Sequence, residues 1–212
     1  MSDGKARPMR DIFERIYEDD AWRGGGSGEG SQLVHNRGYV AFLQKFLAER
    51  KIRSVVDLGC GDWQFSRTID WRGIDYRGYD LVRTVIEHNR RKFGGAHISF
   101  HLFDGDFAHL PAADLLIAKD VLQHWSNRAI AELLPHLSRF RFCLITNCVN
   151  AGGPTENRDI ADGEFRPLDL RLPPFAVKAA EVYGFSNARP FWARFFGRPR
   201  WTKKVLLLEN PG

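Results

Sequence analysis

The sequence predicts an α/β fold: a mostly parallel central sheet flanked by helices, with a helical cap before it and an antiparallel strand near its end. Three observations carry this. Between residues 52 and 147, short apolar runs rich in β-formers alternate with stretches of helical periodicity, and strands separated by helices imply parallel βαβ units covered on both faces. The first run stops at Gly59-Cys60-Gly61, a tight strand-to-helix turn. The 212 residues are 43% apolar, with sixteen Phe, six Trp and five Tyr, which is enough for one sizeable core and leaves no room for a second full domain.

The elements follow in order. Residues 8–20 place Met9, Ile12, Phe13 and Ile16 at helical spacing behind Pro8, which suits a first turn, so a short amphipathic helix is expected. RGGGSGEGS, residues 23–31, holds five glycines and cannot form a regular element; it is either a linker or a lid. From Val34 to Arg50 the apolar positions Tyr39, Val40, Phe42, Leu43, Phe46 and Leu47 mark a second helix. Strands are expected at 52–58, 76–80, 98–103, 114–119, 142–147 and 204–209, and helices at 82–93 and 127–139, with residues 62–70 able to open another. Residues 148–174, rich in Gly, Pro, Asn and Asp, read as loops.

Composition narrows the class. A net charge of +5 is a mild bias toward anionic partners and does not establish nucleic-acid binding. Cys60, Cys143 and Cys148 leave at least one thiol unpaired and show neither CxxC nor Cys/His zinc spacing, which argues against a disulfide scaffold and for a reducing compartment, and no metal is expected. The N-terminus lacks a signal-peptide core, and no apolar run reaches the ~18 residues of a membrane span. A cytoplasmic protein is therefore expected.

In an open parallel sheet, ligands bind beyond the carboxyl ends of the strands. The first strand ends in Asp57-Leu58-Gly59-Cys60-Gly61-Asp62, and the second ends in Asp80, nineteen residues after Gly61. A carboxylate at that spacing is placed to accept both ribose hydroxyls of a nucleoside. The third glycine of a dinucleotide fingerprint is replaced by Gln64, and acids flank the turn at Asp57 and Asp62. A pyrophosphate wants bare amides and no neighbouring carboxylates. S-adenosyl-L-methionine (SAM) carries a sulfonium and an ammonium and no phosphate, so the charges favour SAM over NAD.

VVDLGCGDW (55–63), Asp80, an acid near 104–106 and DLLIAKDVLQHW (114–125) together resemble the class I, Rossmann-like, SAM-dependent methyltransferases over roughly residues 36–150. Within them the chain is similar to short stand-alone bacterial and phage enzymes that share a W-x-G-G-G-S-G loop, K-D-V-L-Q-H and R-P-L-D-L. The resemblance implies that Asp57, Gly59 and Gly61 line the methionine end, Asp80 the ribose and Leu81 one adenine face. Either Asp104 or Asp106 would meet the adenine amino group. Asp62, Lys119 and Trp22 complete the cofactor expectations, Trp22 as the anchor of a lid. The whole chain then reads as one domain: a cap and glycine-rich lid to residue 50, a cofactor-binding core at 51–150, and acceptor-side loops and last strands at 151–212.

For the acceptor, the fourth strand ends at Lys119-Asp120, where the reactive methyl is expected, and His124 lies one helical turn on. A neutral imidazole there is a candidate general base for a hydroxyl acceptor; a packing or capping histidine is the plain alternative. Asp120 would bind the acceptor hydroxyl or orient His124. Ser27, Ser31, His35, Asn36 and Tyr39 are candidate lining groups before the first strand, and Asn147, Arg166 and Asp169 after the fifth. Arg166 and Asp169 read either as a polar acceptor-binding pair or as an ordinary salt bridge. The basic and aromatic stretch 189–204 suits nucleic-acid phosphates and bases, or simply a last packed helix and strand pair. A small-molecule acceptor is favoured over nucleic acid, since the D/N-P-P-Y/F signature of many base-amino methyltransferases is replaced by KDVL.

Overall fold

The computed structural model describes residues 9–21, 27, 33–150, 155–186 and 201–210. Trp22, Ser31 and the basic stretch between 187 and 200 lie outside the described residues.

Helix α1 (Met9–Glu18) and helix α2 (Leu33–Glu49) precede strand β1 (Ser54–Leu58). Then come β2 (Asp75–Asp80), α3 (Arg83–Phe93), β3 (Ile98–Leu102), β4 (Ala113–Lys119), α4 (Asn127–Leu133) and β5 (Phe140–Val149). Strands β6 (Ala180–Ser186) and β7 (Thr202–Glu209) complete one sheet of order β3-β2-β1-β4-β5-β7-β6. The first five strands are parallel, and β7 runs antiparallel to both of its neighbours. The order reverses between β1 and β4, so the carboxyl ends of these two strands open the crevice in which such sheets bind ligands.

Period-two alternation splits the core in two. Val56, Leu58, Leu116 and Ile145 point to the face covered by α1 and α4, while Val55, Leu115, Ile117 and Leu144 point to the face covered by α2 and by Ile86 and Phe93 of α3. Each fully buried side chain of this kind contributes roughly 1.5–3 kcal/mol. On α2, Tyr39, Leu43, Phe46 and Leu47 form the buried stripe that their spacing predicts.

Three expectations change. Residues 62–70 do not form an α-helix; they contain only a 3₁₀ turn at Ser66–Thr68. Trp63 sits at φ +61°, a left-handed conformation incompatible with a helix start, and is buried with Ile69 and Trp71 against the sheet. The 127–139 helix is α-helical only to Leu133 and tightens to 3₁₀ over Leu134–Arg139, where Pro135 removes an N–H. Strand β6 was not expected, because this edge strand is largely exposed, contains Gly184 and carries a bulge, which together erase the alternation. No helix among the described residues is long and apolar enough to cross a membrane.

Candidate active site

A cavity of about 770 Å³, its open mouth included, lies at the carboxyl ends of β1, β2 and β4. Strand β1 feeds it Asp57 and the turn Gly59–Gly61, β2 feeds it Asp80 and Leu81, and β4 feeds it Lys119 and Asp120. Phe13 and Tyr17 of α1 close it from above, and Phe103, His124 and Trp125 complete its side.

The glycine turn is built for close approach. Gly59 has φ +73°, and a Cβ there would lie 2.3 Å from Val121 Cγ2; Gly61 has φ +54°, and its Cβ would lie 2.3 Å from Ser27 Oγ. The Gly59 and Cys60 amides are held by the Tyr79 carbonyl, at 2.8 and 3.0 Å. Asp80 reaches back to this turn: its Oδ2 accepts from the Gly61 amide and its Oδ1 from the Val82 amide, each at 3.0 Å. Each oxygen keeps a further lone pair for a hydroxyl. Burial raises the Asp80 carboxyl above its ordinary value against these amide bonds. Asp57 is 5% exposed and accepts from the Tyr76 hydroxyl at 2.6 Å. Its burial pushes it up to about 6, with Tyr76 and Lys119 opposing.

Ser27, inside the glycine-rich stretch, docks on the same turn. Its Oγ accepts from the Asp62 amide at 2.8 Å, its own amide donates to Asp62 Oδ2, and the Tyr17 hydroxyl lies 2.7 Å away. Asp62 is thereby a latch for Ser27, one layer behind the cavity wall. Because Trp63 prevents a helix from starting here, the turn offers no helix N-terminus to a pyrophosphate. Its carboxylates suit the cationic methionine end of SAM instead, so the residues present fit that cofactor.

At the end of β4, Asp120 sits at φ +61° with its amide bonded to the Thr146 carbonyl at 2.8 Å, a left-handed conformation that Asp tolerates better than most residues. Its Oδ2 receives two ammoniums, Lys119 Nζ at 2.6 Å and Lys203 Nζ at 2.5 Å. Burial alone would raise the Asp120 carboxyl, but the two lysines outweigh it and bring it down to about 2. Burial pulls the Lys119 ammonium down to about 8. His124 arrives through a 3₁₀ turn at Leu122–His124 rather than an α-helical one. Its Nδ1 faces the Glu164 carbonyl at 3.0 Å, which makes Nδ1 the protonated nitrogen, and its Nε2 lies 3.3 Å from the Gln123 amide nitrogen. Burial lowers its basicity, so the ring is neutral near neutral pH.

Other expected site residues lie elsewhere. Asp104 and Asp106 are exposed and outside the cavity wall: Asp106 caps the turn Phe107–His109, Asp104 accepts from the Asp106 amide and contacts His109 at 2.6 Å, and Phe103 takes the position on the wall. Tyr39 is 0% exposed in the core beneath the sheet, out of reach of an acceptor. His35 packs edge-on against Trp201, Asn36 is buried beside it on α2, and Asn147 is buried on β5 opposite Lys204; none lines the cavity. Arg166 and Asp169 do not pair. Arg166, also 0% exposed, donates to the Trp125 carbonyl at 2.7 Å and to Asn127 Oδ1 at 2.9 Å, whereas Asp169 pairs with Arg171 at 2.7 Å. Buried polar groups of this kind hold backbone that would otherwise be unsatisfied.

Two wall residues, and one that pairs with the wall residue Asp120, escaped sequence reading. Phe13 and Tyr17 are four residues apart on one face of α1, a visible signal for a shared target. Lys203 shares the buried face of β7 with Val205 and Leu207, so strand alternation marked it as inward-pointing.

Solved structures share this architecture. Magnesium protoporphyrin IX methyltransferase from Synechocystis PCC 6803, determined with bound SAM, is 19% identical, with a TM-score of 0.63 over 99% of this chain and 100% of that one. An O-methyltransferase family protein from Burkholderia thailandensis is 14% identical, with a TM-score of 0.54 over 84% of this chain and 57% of that one. The N-terminal domain of EvdMO1, determined with SAH and D-fucose, is 15% identical, with a TM-score of 0.55 over 81% and 83%. At these identities the likeness is one of fold. No curated protein sequence matches the chain. Residues 12–147, well over half of its length, match the family described as the O-methyltransferase domain. The chain belongs to this O-methyltransferase family and is a SAM-dependent methyltransferase.

Proposed function

We propose that the enzyme methylates a hydroxyl of a small polar acceptor, held at the carboxyl end of β4 against Asp120 and His124. The observation that carries this reading is the neutral His124 in the cavity wall, its Nδ1 proton donated to the Glu164 carbonyl and its basic Nε2 in contact with the Gln123 amide at 3.3 Å, a donor that an acceptor hydroxyl would replace. In the same reading Asp80 holds the ribose, Asp57 faces the methionine ammonium, and Gly59 and Gly61 let the backbone approach it. Bound SAM supplies a methyl carbon already activated by a sulfonium. The protein then has to align the acceptor oxygen opposite the leaving sulfur and remove a proton from it, and such alignment alone contributes roughly 7–11 kcal/mol. Phe13, Tyr17 and Trp125 keep water from the cavity. Asp104 and Asp106 belong in this reading only if the cofactor extends beyond Phe103.

The test is His124→Ala, assayed with methyl-labelled SAM and an acceptor isolated from a metabolite extract. SAM affinity should stay within about twofold while turnover falls by roughly 10²–10⁴ and the ascending limb of the pH profile disappears. Full turnover at saturating acceptor would remove His124 from the chemistry.

A further inference from the structure

Gln123, the residue before His124, is 4% exposed and has no part in the chemistry described so far. Its backbone carbonyl accepts from the Arg166 amide at 3.1 Å, and the His124 carbonyl accepts from the Gly163 amide at 2.8 Å, so the segment 163–166 fixes the backbone of the Leu122–His124 turn. The Gln123 side chain reaches β5 instead, where its Oε1 accepts from the buried Cys148 amide at 2.7 Å. That bond decides which way the side-chain amide faces, because a backbone N–H can be met only by the oxygen. The NH₂ group is thereby turned toward His124 Nε2, 3.3 Å away. On the other side of the ring, Nδ1 lies 3.0 Å from the Glu164 carbonyl, which accepts and cannot donate. The two ring nitrogens therefore face opposite partners, an acceptor at Nδ1 and a donor at Nε2. One form of the ring satisfies both: the neutral imidazole with its proton on Nδ1.

We propose that Gln123 is the positioning residue of His124, holding the ring neutral with Nε2 as its basic nitrogen until an acceptor hydroxyl takes the place of the Gln123 amide. This rests on the reading of His124 as general base. In the transfer, the hydroxyl oxygen bonds the methyl carbon while the C–S bond breaks and leaves its electron pair on sulfur, and the hydroxyl proton passes to His124 Nε2. The imidazolium then presents an N–H where the Gln123 NH₂ group also points, and that side chain cannot turn over without stranding the buried Cys148 amide. Gln123 thus disfavours the charged ring and favours release of the proton to water. The other influences on the ring divide by sign: burial, the largest, opposes the imidazolium, the Glu164 carbonyl and Asp120 at the end of β4 favour it, and Lys203 of β7 and Arg166 oppose it. Phe165, with its ring 5.7 Å from that of His124, adds no charge.

The experiment follows the His124 ring by NMR in the full-length protein carrying nitrogen-15 histidine, with its signals identified by their loss in His124→Ala, and repeats the pH titration in Gln123→Met. In the wild type a protonated Nδ1 and an unprotonated Nε2 are expected near neutral pH. A proton on Nε2 there overturns the proposal. Gln123→Met removes the donor, so the ring's titration midpoint should rise by about one pH unit, the equivalent of one neutral hydrogen bond. A merely structural Gln123 would change the melting temperature and leave that midpoint in place, and an unmoved midpoint in a folded variant overturns the proposal. Methyl transfer from labelled SAM to a metabolite extract is then measured against pH in both proteins. The ascending limb should move to higher pH together with the ring. A midpoint that moves while the limb stays supports the hold of Gln123 on the ring and overturns the general-base reading. If Gln123→Met does not fold, Gln123→Glu keeps an acceptor for the Cys148 amide and exchanges the donor at Nε2 for a carboxylate oxygen. Its midpoint should rise by at least about one pH unit, and an unmoved midpoint there overturns the proposal.

Discussion

Asp80→Asn separates the observed job of Asp80, bracing the glycine turn, from the proposed one, holding the ribose. In the wild-type protein each carboxylate oxygen accepts from a backbone amide, Gly61 on one side and Val82 on the other, both at 3.0 Å. An asparagine has one oxygen and one NH₂, so whichever way it turns, one of those amides faces a donor. A hydrogen bond to a charged group is worth roughly 1.5–3 kcal/mol, but burial already opposes the charge on Asp80 and a neutral amide relieves part of that cost. The expected net loss is about 1–2 kcal/mol, or roughly 2–8 °C in melting temperature for a chain of this size. Cofactor binding loses one charge-assisted bond to a ribose hydroxyl, about ten- to a hundredfold in affinity. Thermal melts and calorimetry with S-adenosylhomocysteine measure the two effects independently. A lowered melting temperature with an unchanged dissociation constant would show that Asp80 only braces the glycine turn and that the ribose is held elsewhere.

Arg166→Met should cost about 2–4 kcal/mol in urea unfolding, because it leaves the buried Trp125 carbonyl and Asn127 side chain without their donor; a loss below 0.5 kcal/mol would mean that water replaces the guanidinium. Asp57, raised to about 6, is ionised above that pH and neutral below it. Cofactor affinity should therefore strengthen as pH rises from 5 to 7, and binding near pH 6 should release a proton, seen as a heat that varies with the buffer's ionisation enthalpy; a buffer-independent heat would contradict the placement of Asp57 at the cofactor's cation. In the ligand-free protein the sign is opposite. The folded state holds that proton more tightly than the unfolded chain, so stability falls as pH climbs from about 4 to 6.

What could be read from the sequence was whatever depends on local spacing. The Asp57-to-Gly61 turn and Asp80 are joined by one short crossover between neighbouring parallel strands, so their separation alone places them together, and the cavity contains both. His124 lines the cavity although its turn is 3₁₀ and not α, because the turn at Leu122–His124 still brings its side chain back to the end of β4. The misread positions depend on long-range partners. Arg166 looks like a surface cation until the carbonyls of the Leu122–Trp125 turn are brought to it, and Tyr39 looks like a polar lining group until α2 lays it on the sheet. Asp104 and Asp106 belong to a two-residue ambiguity that local capping resolves: both are spent on the turn that follows them. The lysine pair was hidden for the same reason as Arg166, since 83 residues separate Asp120 from Lys203.

The insertion of β7 between β5 and β6 also sets an order of events during synthesis. Strand β5 pairs on one side with β4, a local partner, but its other edge waits for residues 202–209, more than fifty residues further along the chain. Closing so long a loop is an entropic delay, and until it closes, an apolar strand edge with unpaired backbone faces solvent. A nascent chain can thus assemble strands β1 to β4 from residues 54–119 while the sheet still lacks β7 and the Lys203 partner of Asp120. Ribosome-bound chains ending before residue 202 should accordingly depend on a holdase for solubility, and methyl transfer becomes possible only when the β5 edge is covered.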